Sequence, residues 1–167
     1  MTWNVEPLGD AHAIDAFDCG NDILSDWVRI HAHHAVRQGT RTYVVVDEGN
    51  QVVGYFSLAP HVIEREEVPR SIGRGAPRQV PAILLAKFAL DRRIQGRGFG
   101  RELLVLALTI IVEAAKVAGG KVVVVDAIDE DAAGFYAHHD FIPVPGNPHR
   151  LVQKLSTVAA ALGIPWP

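Results

Sequence analysis

The sequence predicts a single α/β domain built on a mixed β-sheet. Two nearly continuous apolar runs, Ala82–Leu90 and Lys121–Ala127, have the composition of strands that are buried on both faces. Between them, Leu103–Val117 carries apolar residues at helical spacing, in a stripe broad enough to pack on a sheet. The chain has 167 residues and contains no repeats, low-complexity tracts or linkers, so we expect one domain over residues 1–167.

The first half of the chain predicts an edge strand, a helix and a β-hairpin. Turn residues precede the helix, where Asn21 or Asp22 is suited to cap the first turn, and Gly39 ends it. β-branched and aromatic residues on both sides of an Asp-Glu-Gly-Asn turn predict the antiparallel hairpin. The predicted elements are the strand Thr2–Leu8, the helix Ile23–Arg37, and the hairpin strands Thr42–Val46 and Val52–Val62.

The second half predicts a long loop, the strand–helix–strand unit described above, a short helix and two short strands. Glu64–Val80 is charged, contains prolines and glycines and lacks periodicity, so we expect a functional or mobile loop that ends at Pro81. Gly119 and Gly120 end the long helix, and Asp129 caps the next one. The remaining elements are the helix Glu130–His138, the strands Phe141–Val144 and Arg150–Leu155, and an Ala-rich tail over residues 156–167 that is a docked helical turn, a dimer contact or frayed.

Composition excludes several classes of protein. The chain opens without a charged and apolar leader and has no run of roughly eighteen apolar residues, so we expect a cytoplasmic protein without a membrane span. The lone Cys19 excludes an internal disulfide framework and a Cys-based zinc site. The net charge of −3 argues against a surface that is uniformly suited to nucleic acid.

Positive charge is concentrated in one segment of the chain. Glu64–Arg101 contains nine Lys or Arg residues and four acidic residues, whereas the remainder is acidic. Two interpretations remain open: a basic face for a phosphate-bearing substrate, or the solvated surface around a cofactor that itself carries phosphates. The candidates for contact with substrate or RNA are Arg65, Arg70, Arg74, Arg78, Lys87, Arg92 and Arg93.

A glycine-rich turn, Gln95–Gly100, connects the buried strand to the long helix. Its three glycines permit strained backbone angles and allow N–H groups to converge beside a helix N-terminus, which makes an anion site. The third glycine comes one position too early for the dinucleotide fingerprint, and no Walker string is present. A tight connection without a ligand is the other interpretation. Gln95–Gly100 fits the string Q/R-x-x-G-x-G/A and in this resembles the pyrophosphate loop of the GCN5-related N-acetyltransferases (GNAT), which holds the diphosphate of acetyl-CoA.

The resemblance extends over essentially the whole chain and is most specific to one branch of the family. Separated strings resemble, in the same order, the acetyltransferase toxins of type II toxin–antitoxin modules, which acetylate the amino group of aminoacyl-tRNA and stop translation. These strings are Phe17–Asn21 with Leu24 and Trp27, Arg41–Val44, Gly54–Leu58, Pro81–Asp91, Val125–Ala127 and Phe135–Tyr136. The resemblance implies a GNAT fold, with a mixed sheet of about six to seven strands flanked by about four helices.

The resemblance also implies an activity and partners. We expect an acetyl-CoA-dependent N-acetyltransferase that modifies the α-amino group of aminoacyl-tRNA and needs no metal. We further expect a homodimer that is neutralised by an antitoxin, often a ribbon-helix-helix DNA-binding protein. A second hypothesis is an N-acetyltransferase for a small amine or a protein N-terminus. A third is an acyl-CoA-binding module without catalysis.

The family's functional residues can be carried over to matching positions. The main chain of the glycine turn, helped by two arginines, would hold the diphosphate, and the strand before it would pair with the pantetheine arm and polarise the acetyl carbonyl. Tyr136 is the expected general acid, because a phenol with a pKa of about 10 can protonate a departing thiolate whose thiol has a pKa of about 8.5. Phe135 beside it also suits a core position. The implied coenzyme residues are Phe88, Ala89, Leu90, Gln95, Gly96, Arg97, Gly98, Phe99, Gly100, Arg101 and Phe135.

No residue is marked as a general base or as a metal ligand. An α-amine has a pKa of about 8, so a useful fraction is neutral at pH 7 and a strong base is dispensable. His31 and His34 share a helix face, but no carboxylate or Cys joins them at ligand spacing, so we expect surface histidines. The sequence departs from the family at Asp140, where Gly is usual, and at Lys87, where Arg is common. Asp tolerates a left-handed backbone, whereas Lys lacks the bidentate fork of Arg.

Overall fold

The structure is a computed structural model that describes residues 3–167, and a seven-stranded mixed sheet organises it. The strands are β1 (Asn4–Pro7), β2 (Arg41–Val46), β3 (Val52–Glu64), β4 (Gln79–Leu90), β5 (Val122–Asp126), β6 (Ile142–Val144) and β7 (Asn147–Lys154). They lie in the order β1-β2-β3-β4-β5-β7-β6, and β4 and β5 run parallel. This confirms the predicted α/β class and the mixed sheet. Thr2, at the start of the first predicted strand, lies outside the described residues.

Six α-helices accompany these strands in the described part of the chain. They are α1 (Asp22–Asp26), α2 (Ala32–Ala35), α3 (Arg70–Gly73), α4 (Phe99–Ala118), α5 (Glu130–His138) and α6 (Leu155–Leu162). A π-helical segment covers Trp27–His31, and short 3-10 segments cover Val36–Gln38, Arg65–Glu67 and Arg92–Ile94. The described residues form six α-helices where about four were expected, partly because the helix predicted over 23–37 is divided into α1, the π-helical segment, α2 and a 3-10 turn. Within residues 3–167, no helix combines the length and the apolar character needed to cross a membrane.

The chain forms two compact units. The first comprises Met1–Ala59 and Ala86–Ala107, and the second comprises Pro60–Leu85 and Leu108–Pro167. Each unit contains its own cluster of buried apolar side chains. Residues that are distant in sequence therefore share a core within each unit.

The N-terminal helical stretch of the first unit begins and ends where the sequence predicts. Asn21 Oδ1 accepts a hydrogen bond from the Leu24 N–H at 3.1 Å, and Gly39 ends the stretch with φ +92°. The buried Tyr55 hydroxyl donates to the Leu24 carbonyl at 2.7 Å, just before the π-helical segment. A side chain that bonds a helix carbonyl disturbs the regular ladder, which explains why the periodic stretch is not one uniform α-helix.

The predicted β-hairpin is confirmed in the first unit. β2 pairs antiparallel with β3 from Arg41↔Leu58 to Val46↔Val52, and Asn50 in the turn has φ +61°. β1 then pairs antiparallel with β2, with Asn4 opposite Val46. Local turn chemistry thus places β2 and β3, whereas β1 reaches β2 from the other side of the N-terminal helical stretch.

In the second unit, the structure corrects the prediction of an irregular loop over Glu64–Val80. This segment contains a 3-10 turn, α3 and the first residues of β4, so Pro81 lies inside β4 and does not mark its start. The register of β4 with β5 begins only at Ala82, so the missing N–H of Pro81 interrupts no bond to β5. Buried apolar residues recur every four positions, at Val68, Ile72, Ala76 and Val80. That spacing was the available signal for a packed segment.

The remainder of the second unit follows the predicted order. Asp129 Oδ1 accepts from the Ala132 N–H at 2.8 Å and caps α5, whose bounds match the predicted ones. Asp140 has φ +73°, as the departure from Gly at this position predicts. The tail forms α6, in which Val158 and Ala159 are buried, so it is a docked helix.

Candidate active site

The glycine-rich turn of the first unit has the backbone that an anion loop needs. Gly96 and Gly98 have φ +76° and +80°, and a Cβ added at either position would meet no atom within 4 Å. The turn is therefore open on the side where these residues lack a side chain. Gly100 differs from the expectation, because it lies in the first turn of α4 and is not among the glycines with positive φ. Arg97 in the turn and Arg101 in the first turn of α4 are both exposed.

Gln95 fastens this turn to the rest of the first unit. Its Nε2 donates to the Leu90 carbonyl at 2.8 Å and to the Cys19 carbonyl at 2.7 Å, and its own N–H donates to the Arg92 carbonyl at 3.3 Å. Both side-chain donors and the backbone donor are thus used within the protein. Gln95 therefore has no N–H group left over for a ligand.

A buried carboxylate supports the chain just before the turn. Asp91 accepts from the Arg93 N–H at 3.0 Å, from Arg93 Nε at 2.8 Å and from the Asp18 N–H at 3.2 Å. Burial alone would raise the pKa of Asp91, but these hydrogen bonds and the charge of Arg93 hold it below its usual value. The Arg93 guanidinium also bonds Gln51 and the Val52 carbonyl. Arg93 therefore supports the chain that leads into the turn, and its predicted substrate contact stays a prediction.

The last residues of β4 extend beyond its register with β5. The parallel pairing ends at Leu85↔Val125, whereas β4 continues through residues 86–90. Ala89 in this extension is buried, and a Cβ at Gly54 of β3 would lie 3.3 Å from the Ala89 carbonyl oxygen, so the backbones approach closely there. Phe88 and Leu90 are half-buried. A strand that continues past its partner can offer backbone groups to an extended ligand.

Tyr136 lies on α5 in the second unit and is buried. Its ring is in edge contact with Phe135, at 5.4 Å between centroids, and with Phe141, at 5.7 Å. The Phe141 N–H donates to the Tyr136 carbonyl at 3.1 Å and closes the C-terminal end of α5. Burial raises the pKa of the Tyr136 hydroxyl, so it stays protonated at physiological pH and is a proton donor rather than a base.

The four arginines of the predicted substrate segment lie in the second unit and are all exposed. Arg65 has a partner, because its Nη1 donates to the Ala76 carbonyl at 3.0 Å. Arg65 also shares one surface groove with Arg70 and Arg74. Arg78 lines a different groove together with Glu64, and Glu66 lines both grooves. The expected basic surface is therefore divided between two grooves.

The other predicted substrate residues lie in the first unit. Lys87 Nζ is 5.3 Å from the centroid of the Trp27 ring, in a cation–π geometry, and it donates to the adjacent Ala86 carbonyl at 3.3 Å. Arg92 Nη1 is 3.6 Å from Asp18 Oδ2, and both side chains are largely exposed. Such a surface ion pair is weak, so a phosphate could replace the Asp18 carboxylate as the partner of Arg92.

A model of one protein family matches residues 38–143, a span that contains both the glycine-rich turn and Tyr136. Its description is "Acetyltransferase (GNAT) domain". The chain belongs to the GNAT acetyltransferase family. As a GNAT acetyltransferase, it is an N-acetyltransferase that uses acetyl-CoA, and the open turn beside the N-terminus of the 20-residue α4 fits a diphosphate.

Three relatives show where this GNAT chain lies within the family. A tRNA-acetylating toxin of Mycobacterium tuberculosis is 34% identical over 93% of this chain and 94% of that protein. The structure of AtaT complexed with acetyl-methionyl-tRNAfMet is similar with a TM-score of 0.86 at 27% identity, covering 96% of this chain and 99% of that one. A tyrosine-to-phenylalanine mutant of the AtaT toxin, bound to the C-terminus of the antitoxin AtaR and to acetyl-CoA, has a TM-score of 0.82 at 26% identity, covering 98% and 99%.

The GNAT acetyltransferase also contains an ionic cluster that the sequence did not suggest. Arg150 of β7 pairs with Asp126 of β5 through two hydrogen bonds, of 2.8 and 3.0 Å, and its Nη1 is 3.3 Å from Nε2 of His61. Burial and the charge of Arg150 lower the pKa of His61. Asp126 and Arg150 are cross-strand neighbours, which only the register reveals. Among residues 3–167, no group of three or more His, Cys, Asp or Glu is arranged to hold a metal ion.

Proposed function

We propose that this chain transfers the acetyl group of acetyl-CoA to the α-amino group of aminoacyl-tRNA and thereby acts as a toxin that blocks translation. The full-length similarity to a tRNA-acetylating toxin is the observation that carries this proposal. The similarity to AtaT, seen with acetyl-methionyl-tRNA, supports the same acceptor. We include the whole of residues 1–167 in one acetyltransferase domain and expect it in the cytoplasm, where charged tRNA is used.

We assign the diphosphate of the coenzyme to the glycine-rich turn. The backbone N–H groups after Gln95, the charges of Arg97 and Arg101, and the N-terminus of α4 supply the attraction. The open space beside Gly96 and Gly98 supports this assignment, because a bulky anion can approach the main chain there. Phe99 and Gly100 carry the turn into the helix. Phe88–Leu90 offers backbone groups to the pantetheine arm and to the acetyl carbonyl.

We assign Tyr136 as the general acid. Attack by the amine forms the new N–C bond and breaks the C–S bond, and the departing sulfur takes the proton of the Tyr136 hydroxyl. The Tyr136 hydroxyl carries its proton throughout the physiological range, so a proton is present for the departing sulfur, although the burial that raises the pKa also makes the hydroxyl a weaker acid than a free phenol. The amine loses its own proton to water, which an α-amine permits because its pKa is about 8, and a proton from solvent restores the Tyr136 hydroxyl. Phe135 packs against the acid and keeps its place among the proposed coenzyme contacts.

We further propose a homodimer and an antitoxin of the ribbon-helix-helix DNA-binding type. The complex of AtaT with AtaR supports an antitoxin partner for this chain. The exposed Arg70, Arg74 and Arg78 and the surface-paired Arg92 supply positive charge that either an acidic antitoxin segment or tRNA would neutralise.

The deciding experiment is acetyl transfer from labelled acetyl-CoA to bulk aminoacyl-tRNA by the purified chain. We expect label on the amino acid attached to tRNA, and expression of the wild type to stop growth and translation in a host cell. The Tyr136→Phe variant should do neither. Label that appears only on small amines or on protein N-termini, with growth unaffected, would instead support the second hypothesis and remove the toxin role.

A further inference from the structure

A cavity of about 340 Å³ lies in the second unit, at the C-terminal end of α4 and the start of β5. Part of its lining is apolar, with Ile72, Val80 and Val122, and Trp166 from the C-terminal tail is also part of it. The volume is in the range of small-molecule sites. Of the residues predicted to contact coenzyme or substrate, Arg74 alone lines this cavity within the described part of the chain.

Three of the four lysines of the entire chain line this cavity, namely Lys116, Lys121 and Lys154. Arg74 adds a fourth cation, and Ser156 at the start of α6 adds a hydroxyl group. No Asp or Glu side chain of residues 3–167 is part of the lining. We name this feature the lysine cavity. It concentrates positive charge in a protein whose net charge is −3.

The helix dipole and a nearby acidic side chain offset the charge of one of these lysines but not the charges of the other two. Lys116 lies in the last turn of α4, where a cation offsets the helix dipole, and it is 3.7 Å from Glu113 Oε2. Lys121 and Lys154 have no such partner among the described residues. β5 and β7 bring them together, because Lys154 is opposite Val122 and the Leu155 N–H donates to the Lys121 carbonyl at 2.9 Å. Both residues line the cavity, where an anion would be attracted by two cations that have no acidic partner within residues 3–167.

We propose that the lysine cavity binds the phosphate of a nucleotide, with the base stacked on Trp166. Lys121, Lys154 and Arg74 are the phosphate ligands, and an aromatic ring beside a cationic site is the combination that recognises bases together with phosphates. The nucleotide is either a free mononucleotide or part of an RNA chain. Only the RNA source rests on the proposed acetylation of tRNA, and free-nucleotide binding does not depend on it.

The test is equilibrium titration with AMP, with inorganic phosphate and with a short single-stranded RNA, each with saturating coenzyme A so that the coenzyme site is occupied. The Lys121→Gln/Lys154→Gln double variant is compared with Arg37→Gln/Arg41→Gln, which removes the same charge from exposed positions outside the cavity. We expect the lysine double variant to bind AMP at least about tenfold more weakly, since hydrogen bonds to charged groups are the stronger class, and the arginine double variant to match the wild type. Trp166→Ala should weaken AMP binding but leave phosphate binding unchanged.

The titrations distinguish an RNA ligand from a free nucleotide, and they can also refute the proposal. Binding of RNA but not AMP, lost in the lysine double variant, identifies an RNA ligand, and binding of AMP alone identifies a free nucleotide. Equal affinity of the lysine double variant and the wild type for every probe overturns the proposal, as does an equal loss in the arginine double variant or no binding by the wild type. A failure of the acetyl-transfer assay would refute the proposed acceptor and leave the AMP titration unaffected.

Discussion

Replacing Gly98 by Ala tests whether the turn backbone holds the coenzyme. Gly98 has φ +80° and no atom within 4 Å of an added Cβ, so the methyl group meets no steric clash within the protein. The cost to folding is therefore only that of a left-handed backbone, about 1–2 kcal/mol. Gly146, in the β6–β7 turn, has the same φ of +80° and the same open space, which makes Gly146→Ala a control for backbone strain.

The two variants should differ in coenzyme affinity while they agree in stability. At Gly98, the methyl group projects into the space where the diphosphate approaches, and any relaxation of φ turns N–H groups away from it. Loss of one hydrogen bond to a charged group costs about 1.5–3 kcal/mol, which corresponds to roughly a tenfold to hundredfold weaker Kd for acetyl-CoA. Gly146→Ala should leave the Kd unchanged.

Calorimetric titration with acetyl-CoA measures the affinity, and urea denaturation measures the free energy of unfolding of both variants. Unchanged affinity in Gly98→Ala, at a measured loss of stability, would show that the turn does not contact the diphosphate. An equal loss of affinity in Gly146→Ala would show that strain alone weakens binding, and the assignment of the turn would again fail.

Two further predictions concern buried side chains. Tyr136→Phe keeps the ring contacts with Phe135 and Phe141, so we expect unchanged stability and an unchanged Kd for acetyl-CoA, but a kcat that is lower by about 10²–10⁴-fold. The control is Tyr43→Phe, which removes a hydroxyl from a ring that stacks on Phe56. A kcat near the wild-type value for Tyr136→Phe would exclude the acid role. The folded-state pKa of Asp91 is lowered, so its stabilisation is complete above the unfolded pKa of about 3.9 and is lost as the pH falls through the folded value. Asp91→Asn should therefore reduce the free energy of unfolding, measured by urea denaturation, by about 1–3 kcal/mol at pH 7 and by less in acid. The control Asp15→Asn, at an exposed position, should have little effect at any pH. A difference between Asp91→Asn and the wild type that stays constant across pH would contradict the ionic explanation.

The features that the sequence predicted well depend on short-range chemistry. Asp129 caps α5, Gly39 ends the N-terminal helical stretch, and Asp140 adopts a positive φ because each needs only its immediate neighbours. The glycine-rich turn belongs to the same class, since its angles are a property of Gly96 and Gly98. Periodicity placed α4 for the same reason.

The features that the sequence did not reveal depend on partners that are distant along the chain. Arg93 had the appearance of a free surface cation, yet its guanidinium is held by Asp91 and by the β2–β3 turn. Asp126 and Arg150 meet only through the β5–β7 register. The segment 64–80 was predicted to be irregular because its charges, prolines and glycines outweighed the four-residue spacing of its apolar residues, and because its α-helix is only a single turn.

Gln95 shows how a local motif and a tertiary contact combine in one residue. The family string accepts Gln or Arg at this position, and a residue that simply bound phosphate would not explain the choice of an uncharged amide. In the structure the side chain donates two hydrogen bonds, to the carbonyls of Leu90 and Cys19. Gln and Arg share the ability to donate several N–H bonds from one planar group, which Glu and Leu lack. The first residue of the string therefore secures the turn, which agrees with our proposal that the backbone and the arginines that follow bind the diphosphate.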